Sequence, residues 1–363
     1  MIDLTSDPPP SRRTTCPPRG LFVCAAIALC LVGQSCLAEE TELPADSNLV
    51  ALITPEATQA IGQGLAYLAE RQLADGSFGR SGYARNVAVC GLAGMAFLAS
   101  GSTPGRGPYG EQIDRCIEYL LEHTSENGFI AAADATSRGP MYGHGFATLF
   151  LSESYGMAQQ SELRDRLDAA VEVILQAQNH EGGWRYQPEP ADADLSVTVC
   201  QVMALRAARN AGMAVPREAI ERSIQYVQGC QNADGGFRYT LGGKDQPSQF
   251  ARSAAGVVAL YSAGIYTGES IDQGLDYLQQ FAPGSELPGR QAYFFYAQYY
   301  AVQAMWHAGG ERWDGWYPPI RDELIARQQP DGSWPDSICA EYGTAMACIV
   351  LQVPNNCLPI LQR

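Results

Sequence analysis

The sequence predicts an all-α fold, an α/α toroid of about six helical hairpins arranged in two concentric rings. Three observations predict it. A signature running from Gln to an aromatic six residues later recurs along the 363-residue chain. A one-faced apolar stripe at helical spacing opens five of the units, and a segment apolar nearly all round closes each. A repeat period of about 50 residues marks an architecture of stacked supersecondary units.

The signature runs from Gln72 to Phe78, Gln178 to Trp184, Gln231 to Phe237 and Gln328 to Trp334, with a degenerate copy at Asn127-Gly128-Phe129. The anchors at 78, 129, 184, 237 and 334 are separated by 51, 55, 53 and 97 residues. The last gap is two units of about 48, which predicts an unmarked copy near Pro283-Gly284. The acidic-Gly pair inside each copy makes a tight turn. The aromatic is then expected to lie across the next unit's outer helix, with the Gln amide closing onto backbone groups at a helix end.

Taken in order, the chain opens with a leader. Arg12, Arg13 and Arg19 precede an apolar run from Leu21 to Val32, followed by Cys36-Leu37-Ala38 and then Glu39-Glu40. This is the order of a secretory signal peptide, so residues 1–38 are expected to be removed and the chain exported. The run is too short to be read as a membrane span, and the mature chain is expected to have none. Ser11-Arg12-Arg13 is half a twin-arginine pattern, and Gly33 to Cys36 is a poor lipoprotein box, so anchoring at Cys36 is the weaker alternative. A short linker, 39–54, then leads into a single repeat domain over 55–363.

The first, outer helices carry Ile61, Leu65 and Leu68; Ile113, Ile117 and Leu120; Leu167, Val171 and Ile174; Ile220, Ile224 and Val227; and Ile271, Leu275 and Leu278. Such one-faced stripes mark helices packed on one side only. The second helices, 87–99, 146–151, 195–208, 253–262, 293–306 and 342–353, are apolar on every side and so predict an inner ring. Gly101, Gly156, Gly212, Gly264 and Gly309 end the units, as helix C-termini favour.

The net charge of −15 becomes −16 once the leader is removed, and no basic run interrupts it. Nucleic acid is therefore not an expected partner. Four of the eleven cysteines lie in the leader. The remaining seven, Cys90, Cys116, Cys200, Cys230, Cys339, Cys348 and Cys357, have no C-x-x-C pair. They read as packing residues, with one disulfide among Cys339, Cys348 and Cys357 left open. With four histidines in the chain, His123, His144, His180 and His307, no metal site or cofactor is expected.

These motifs on alternating helices resemble the prenyltransferase and squalene-oxidase repeats of terpenoid cyclases and protein prenyltransferase β-subunits, over residues 55 to 357. The resemblance implies a six-hairpin toroid whose cavity accepts isoprenoid chains. The family's active residues carry over poorly. The cyclase Asp-x-Asp-Asp-Thr-Ala segment best matches Asp194 to Val199, which puts Ser196 at the proton donor. Sliding the frame by two substitutes Asp192 and Asp194, a weak acid pair in which one carboxyl raises the other's pKa. The alternative makes Asp194 the N-cap of the helix beginning at Leu195. Gly343 stands where the prenyltransferase zinc site has His, and Gln249 to Ser253 lacks the Asp-x-Cys ligands. The thioester segment of complement-type toroids is absent.

Two candidate features remain. His144, in Tyr142-Gly143-His144-Gly145 leading into the inner helix at Phe146, is expected near Asp192, Asp194 and Glu341-Tyr342 at the toroid's mouth, as a general acid or base or as a structural His at a turn. Tyr293, Tyr296 and Tyr300 fall on one face of the fifth inner helix. With Tyr142 and Tyr342 they are candidate ligand contacts, for a cation through the ring faces, a sugar or a peptide. Three functions follow: a toroid binding an apolar, isoprenoid-like small molecule; a non-catalytic scaffold for a protein partner; or a carbohydrate-active barrel pairing Asp192 or Asp194 with Glu153 or Glu341.

Overall fold

The computed structural model describes residues 52–132, 139–242 and 246–362, so the leader and nearly all of the linker lie outside the described residues. Twelve α-helices are found among them. The outer helices are α1 (Pro55–Arg71), α3 (Gly110–Glu122), α5 (Leu163–Ala177), α7 (Arg217–Gly229), α9 (Glu269–Gln279) and α11 (Gly310–Arg327). The inner helices are α2 (Val87–Ala99), α4 (Pro140–Ser154), α6 (Leu195–Asn210), α8 (Phe250–Ser262), α10 (Phe294–Ala308) and α12 (Ala340–Gln352). Each inner helix packs on the next, and α12 returns to α2, so the inner ring closes on itself. The Gln352 side chain crosses that closure, Nε2 donating to the Ala96 carbonyl at 3.1 Å.

Local chemistry places the helix starts. Thr54 caps α1 through Oγ1, which accepts from the Ala57 N–H, with Pro55 at the first position. Asn86 caps α2 by accepting from Ala88 and Val89. Both choices satisfy first-turn amides that have no partner within the helix. The sixth outer helix follows α10 after Gly309 alone and runs through Pro318-Pro319, which explains why no clean stripe announces it.

The repeated motif joins three helices at once. Gln178 Nε2 donates to the Gly182 carbonyl of its own turn and to the Ala219 carbonyl of α7, both at 2.9 Å. Gln72 does the same to Gly76 and Gln112, Gln231 to Gly235 and Ser270, and Gln328 to Gly332 and Ala60. That last bond joins the final outer helix to the first and closes the outer ring. The aromatic lies against the next outer helix where that helix carries glycine, Trp334 against Gly64 and Phe237 against Gly274. Its backbone N–H donates to an inner-helix hydroxyl: Trp184 to Thr198, Phe237 to Ser253, Trp334 to Thr344. Gly182 is required twice over. Its φ is +96°, and a Cβ there would sit 2.2 Å from the Arg222 carbonyl oxygen of α7.

The two imperfect units depart from expectation. In the second, Gly128 takes the turn position with φ +90°, which puts Ile130, not Phe129, where the other units have their aromatic. Ile130 is fully buried and Phe129 only partly. In the fifth, Gly284 makes the expected turn, but the Gln staple is replaced by the buried Arg290, which forms a bidentate ion pair with Glu323 of α11. The seven cysteines of the described chain are free thiols, so no disulfide joins Cys339, Cys348 or Cys357.

Candidate functional site at the mouth of the ring

One end of the inner ring is shut by the C-terminal segment. Asn355 Nδ2 donates to the Ala99 carbonyl at the end of α2 (3.2 Å), and the Ile360 N–H donates to Glu153 Oε2 at the end of α4 (3.1 Å). Trp306 Nε1 of α10 donates to the Leu361 carbonyl at 2.7 Å. The other end, where the inner helices begin, carries the candidate residues.

Asp194 is wholly buried and caps α6. Its Oδ1 accepts from the Val197 N–H at 2.9 Å and from Ser196 Oγ at 2.6 Å. Its Oδ2 accepts from the Tyr239 hydroxyl at 3.2 Å and faces Arg185 Nε at 3.5 Å. Asp192 pairs with the same guanidinium at 3.2 Å and is exposed. The two carboxyls are therefore bridged by Arg185, in place of the like-charge pair expected from the sequence. The Asp194 carboxyl is shifted upward chiefly by burial, against the lowering effect of its hydrogen bonds and Arg185.

His144 lies inside α4, because that helix starts at Pro140, six residues before Phe146. Gly143 and Gly145 are contacts between helices, where a Cβ would press on Val87 of α2 (2.7 Å) and Gln201 of α6 (2.8 Å). The imidazole is buried. Nδ1 accepts from the Ile130 N–H at 3.1 Å and Nε2 donates to the Ala170 carbonyl at 3.0 Å. Burial holds it down at about 4, so the ring is neutral. It fills in the second unit the place of Thr198, Ser253 and Thr344, and both nitrogens are committed to backbone.

The tyrosines separate by depth. Tyr293, at the N-cap of α10, is 75 % exposed and left-handed (φ +52°). Tyr142 and Tyr296 are partly buried at the mouth, and Tyr342 is buried beside them. Tyr300 lies beneath, fully buried, with its hydroxyl 3.4 Å from Cys200 Sγ. Burial, then the fields of Tyr142, Cys200, Tyr342 and Asp194, raise the Tyr296 phenol well above its ordinary value, so it stays protonated. Gln201, Gln298, Tyr299 and Tyr300 fill the ring below the mouth and are 0–2 % exposed.

Sequence reasoning missed Arg185, Tyr186, Tyr239 and Arg252. The Tyr186 and Tyr239 hydroxyls share a short hydrogen bond, and Tyr186 lies 6.1 Å from Tyr142, ring to ring. Arg185 sits over both rings, 4.8 Å from Tyr186 and 5.4 Å from Tyr239. Arg252 of α8 lies 5.6 Å from Tyr239. A signal existed: the third and fourth motif copies both continue as Arg-Tyr, Arg185-Tyr186 and Arg238-Tyr239.

Of the carboxylates paired by expectation, Glu153 lies at the closed end, about 20 Å of helix rise from the start of α4. Glu341 is buried at the open end, 3.5 Å from Arg80. Gly343, in the zinc-ligand position, touches the Trp334 carbonyl so closely that a Cβ would sit 2.2 Å from it. Two surface clefts, of about 570 and 300 Å³, flank Ser125 in the second unit and include none of the mouth tyrosines. No helix among the described residues is long and apolar enough to cross a membrane.

Residues 144–282 match the family described as the prenyltransferase alpha-alpha toroid domain. No curated protein matches the chain by sequence. Among solved structures, the type II terpene cyclase MstE from Scytonema is similar with a TM-score of 0.59 at 14 % identity, over 84 % of this chain and 99 % of that one. The cellobiose 2-epimerase from Spirochaeta thermophila gives 0.65 at 13 %, over 85 % and 98 %. An alpha-1,6-mannanase variant of Salegentibacter, bound to mannotriose, gives 0.61 at 9 %, over 82 % and 98 %. At such identities the likeness is one of fold.

Proposed function

For this prenyltransferase- and terpenoid-cyclase-like α/α toroid, we propose an exported, non-catalytic binding protein whose working surface is the tyrosine-lined mouth and whose ligand is a saccharide. One observation carries the reading. Tyr142, Tyr186, Tyr239 and Tyr296 cluster at the start of the inner helices, partly exposed, above a ring filled with fully buried side chains. Half-buried phenols offer flat apolar faces edged by hydroxyls. A sugar ring offers the complement, C–H faces edged by hydroxyls. An isoprenoid chain would need an enclosed apolar chamber, and Gln201, Gln298, Tyr299 and Tyr300 occupy that space. Hydrolysis would need two carboxyls on one cavity. Asp194 is committed to its helix cap and Arg185, Glu341 is buried against Arg80, and Glu153 lies at the far end.

The test is calorimetric titration of the purified chain with a panel of neutral and acidic trisaccharides. Binding is expected, weakened about tenfold or more by Tyr239→Ala or Tyr186→Ala, a cost of about 1.4 kcal/mol each, with every sugar recovered uncleaved. A co-purifying isoprenoid or lipid in native mass spectra, released by Tyr296→Ala, would overturn the reading in favour of an apolar ligand.

A further inference from the structure

The two guanidinium groups beside Tyr239 are not equivalent. Arg185 faces two carboxylates, Asp192 at 3.2 Å and Asp194 at 3.5 Å. Arg252 has none within ion-pair distance among the described residues. One nitrogen, Nη2, donates to the Pro247 carbonyl at 2.8 Å, and its buried Nε has no partner. The position is half-buried, and desolvation works against the charge, opposed by the fields of Tyr239, Tyr277, Tyr296 and Asp194. A cation held out of bulk water without a counter-ion is costly. Guanidinium is also the side chain best suited to a planar, two-point contact with an oxyanion. Near it, the Tyr296 hydroxyl is buried without a hydrogen-bond partner and is a ready donor.

We infer that Arg252 and Tyr296 form an anion subsite within the mouth, and that the preferred ligand is an acidic saccharide bearing a carboxylate or a sulfate. The inference rests on the saccharide reading for the body of the ligand, while the anion subsite rests on Arg252 itself. The acid of the ligand would stand to Arg252 as Asp192 and Asp194 stand to Arg185, with the sugar body beside Tyr239. A neutral sugar would leave Arg252 uncompensated and bind less tightly.

Two measurements on the full chain test this. In the first, arginine Nε–Hε resonances are followed while sodium acetate or sodium sulfate replaces sodium chloride at constant ionic strength. One resonance, identified by its loss in R252Q, is expected to shift saturably, and the two salts distinguish a carboxylate from a sulfate subsite. In the second, trigalacturonate, a sulfated galactotriose and neutral galactotriose are titrated against wild type, R252Q and R252K. At least a tenfold preference for an acidic sugar is expected, falling below twofold in R252Q and largely retained in R252K, which keeps the cation. Either the saturable shift or the preference, abolished by R252Q, upholds the inference, and the absence of both overturns it. Neutral binding untouched by R252Q, with no shift, would leave saccharide binding standing and the anion subsite refuted. A saturable shift without saccharide binding would do the reverse.

Discussion

At the scale of the residue, His144 shows how a titratable group becomes a fastener. Its neutral ring accepts from one backbone group and donates to another, and protonation would set a new Nδ1–H against the Ile130 N–H. Burial lowers its pKa from 6.5 to about 4 in the folded chain. Between those values the unfolded chain binds more protons, so stability falls as pH drops from about 6.5 towards 4. The group's contribution is on the order of 3 kcal/mol, because each tenfold change in proton affinity is worth about 1.4 kcal/mol. Denaturant unfolding of wild type and His144→Thr should differ by a constant amount above pH 6.5, and wild type should lose on the order of 3 kcal/mol relative to the variant between pH 6.5 and 4. Thr keeps the bond to Ile130, as Thr198 does for Trp184, and removes the titration. Parallel pH profiles for the two proteins would refute this account of His144.

At the scale of the element, the Gln staple is the recurring joint. Each amide holds two backbone carbonyls, and losing a hydrogen bond costs roughly 1 kcal/mol, more when a buried group is left unpaired. Gln178→Ala and Gln328→Ala should therefore each lower stability by roughly 1–3 kcal/mol. They should differ in reach, because Gln328 bonds to Ala60 and closes the ring while Gln178 joins neighbours in sequence. Amide hydrogen exchange is expected to rise in both α1 and α11 for Gln328→Ala, and only around α5 and α7 for Gln178→Ala. Equal, local effects would show that closure does not depend on that joint. The fifth unit makes its joint with Arg290 and Glu323 instead, so the chemistry of the joint is interchangeable.

At the scale of the whole molecule, the C-terminal segment closes the ring and carries its own pH dependence. Burial raises the Glu153 carboxyl to about 7, against the lowering effect of the Ile360 N–H. Between about 4.5 and 7 the folded chain binds more protons than the unfolded one. The stability this provides is full below about 4.5 and lost as pH rises through 7, again on the order of 3 kcal/mol. Glu153→Gln keeps an acceptor for Ile360 and removes the charge. It should stabilise the protein at pH 8 and make little difference at pH 4.5, as read by thermal unfolding. A variant destabilised at pH 8 would mean that the ionised carboxylate is what holds the strap. His144 and Glu153 pull in opposite directions between about 4.5 and 6.5, so their slopes largely cancel in wild type.

The sequence by itself determined the periodic parts of this protein. The Gln-to-aromatic motifs, the one-faced stripes of the outer helices and the unit-ending glycines state a local rule repeated around the ring, and a local rule survives in one dimension. Asp194 as a helix cap was legible for the same reason, since a cap contacts residues three positions away. Only the tertiary structure decided the site. Arg185, Tyr186, Tyr239 and Arg252 meet through loops and helices from different units, and His144 is distinguished from a catalytic histidine only by Ile130 and Ala170 on either side of it. Glu153 and Asp194 look alike as acids in the sequence, yet they stand at opposite ends of a ring whose length is set by helix rise and whose centre is filled by packing. Such relations depend on which surfaces come together when the last hairpin meets the first, and no local pattern records that.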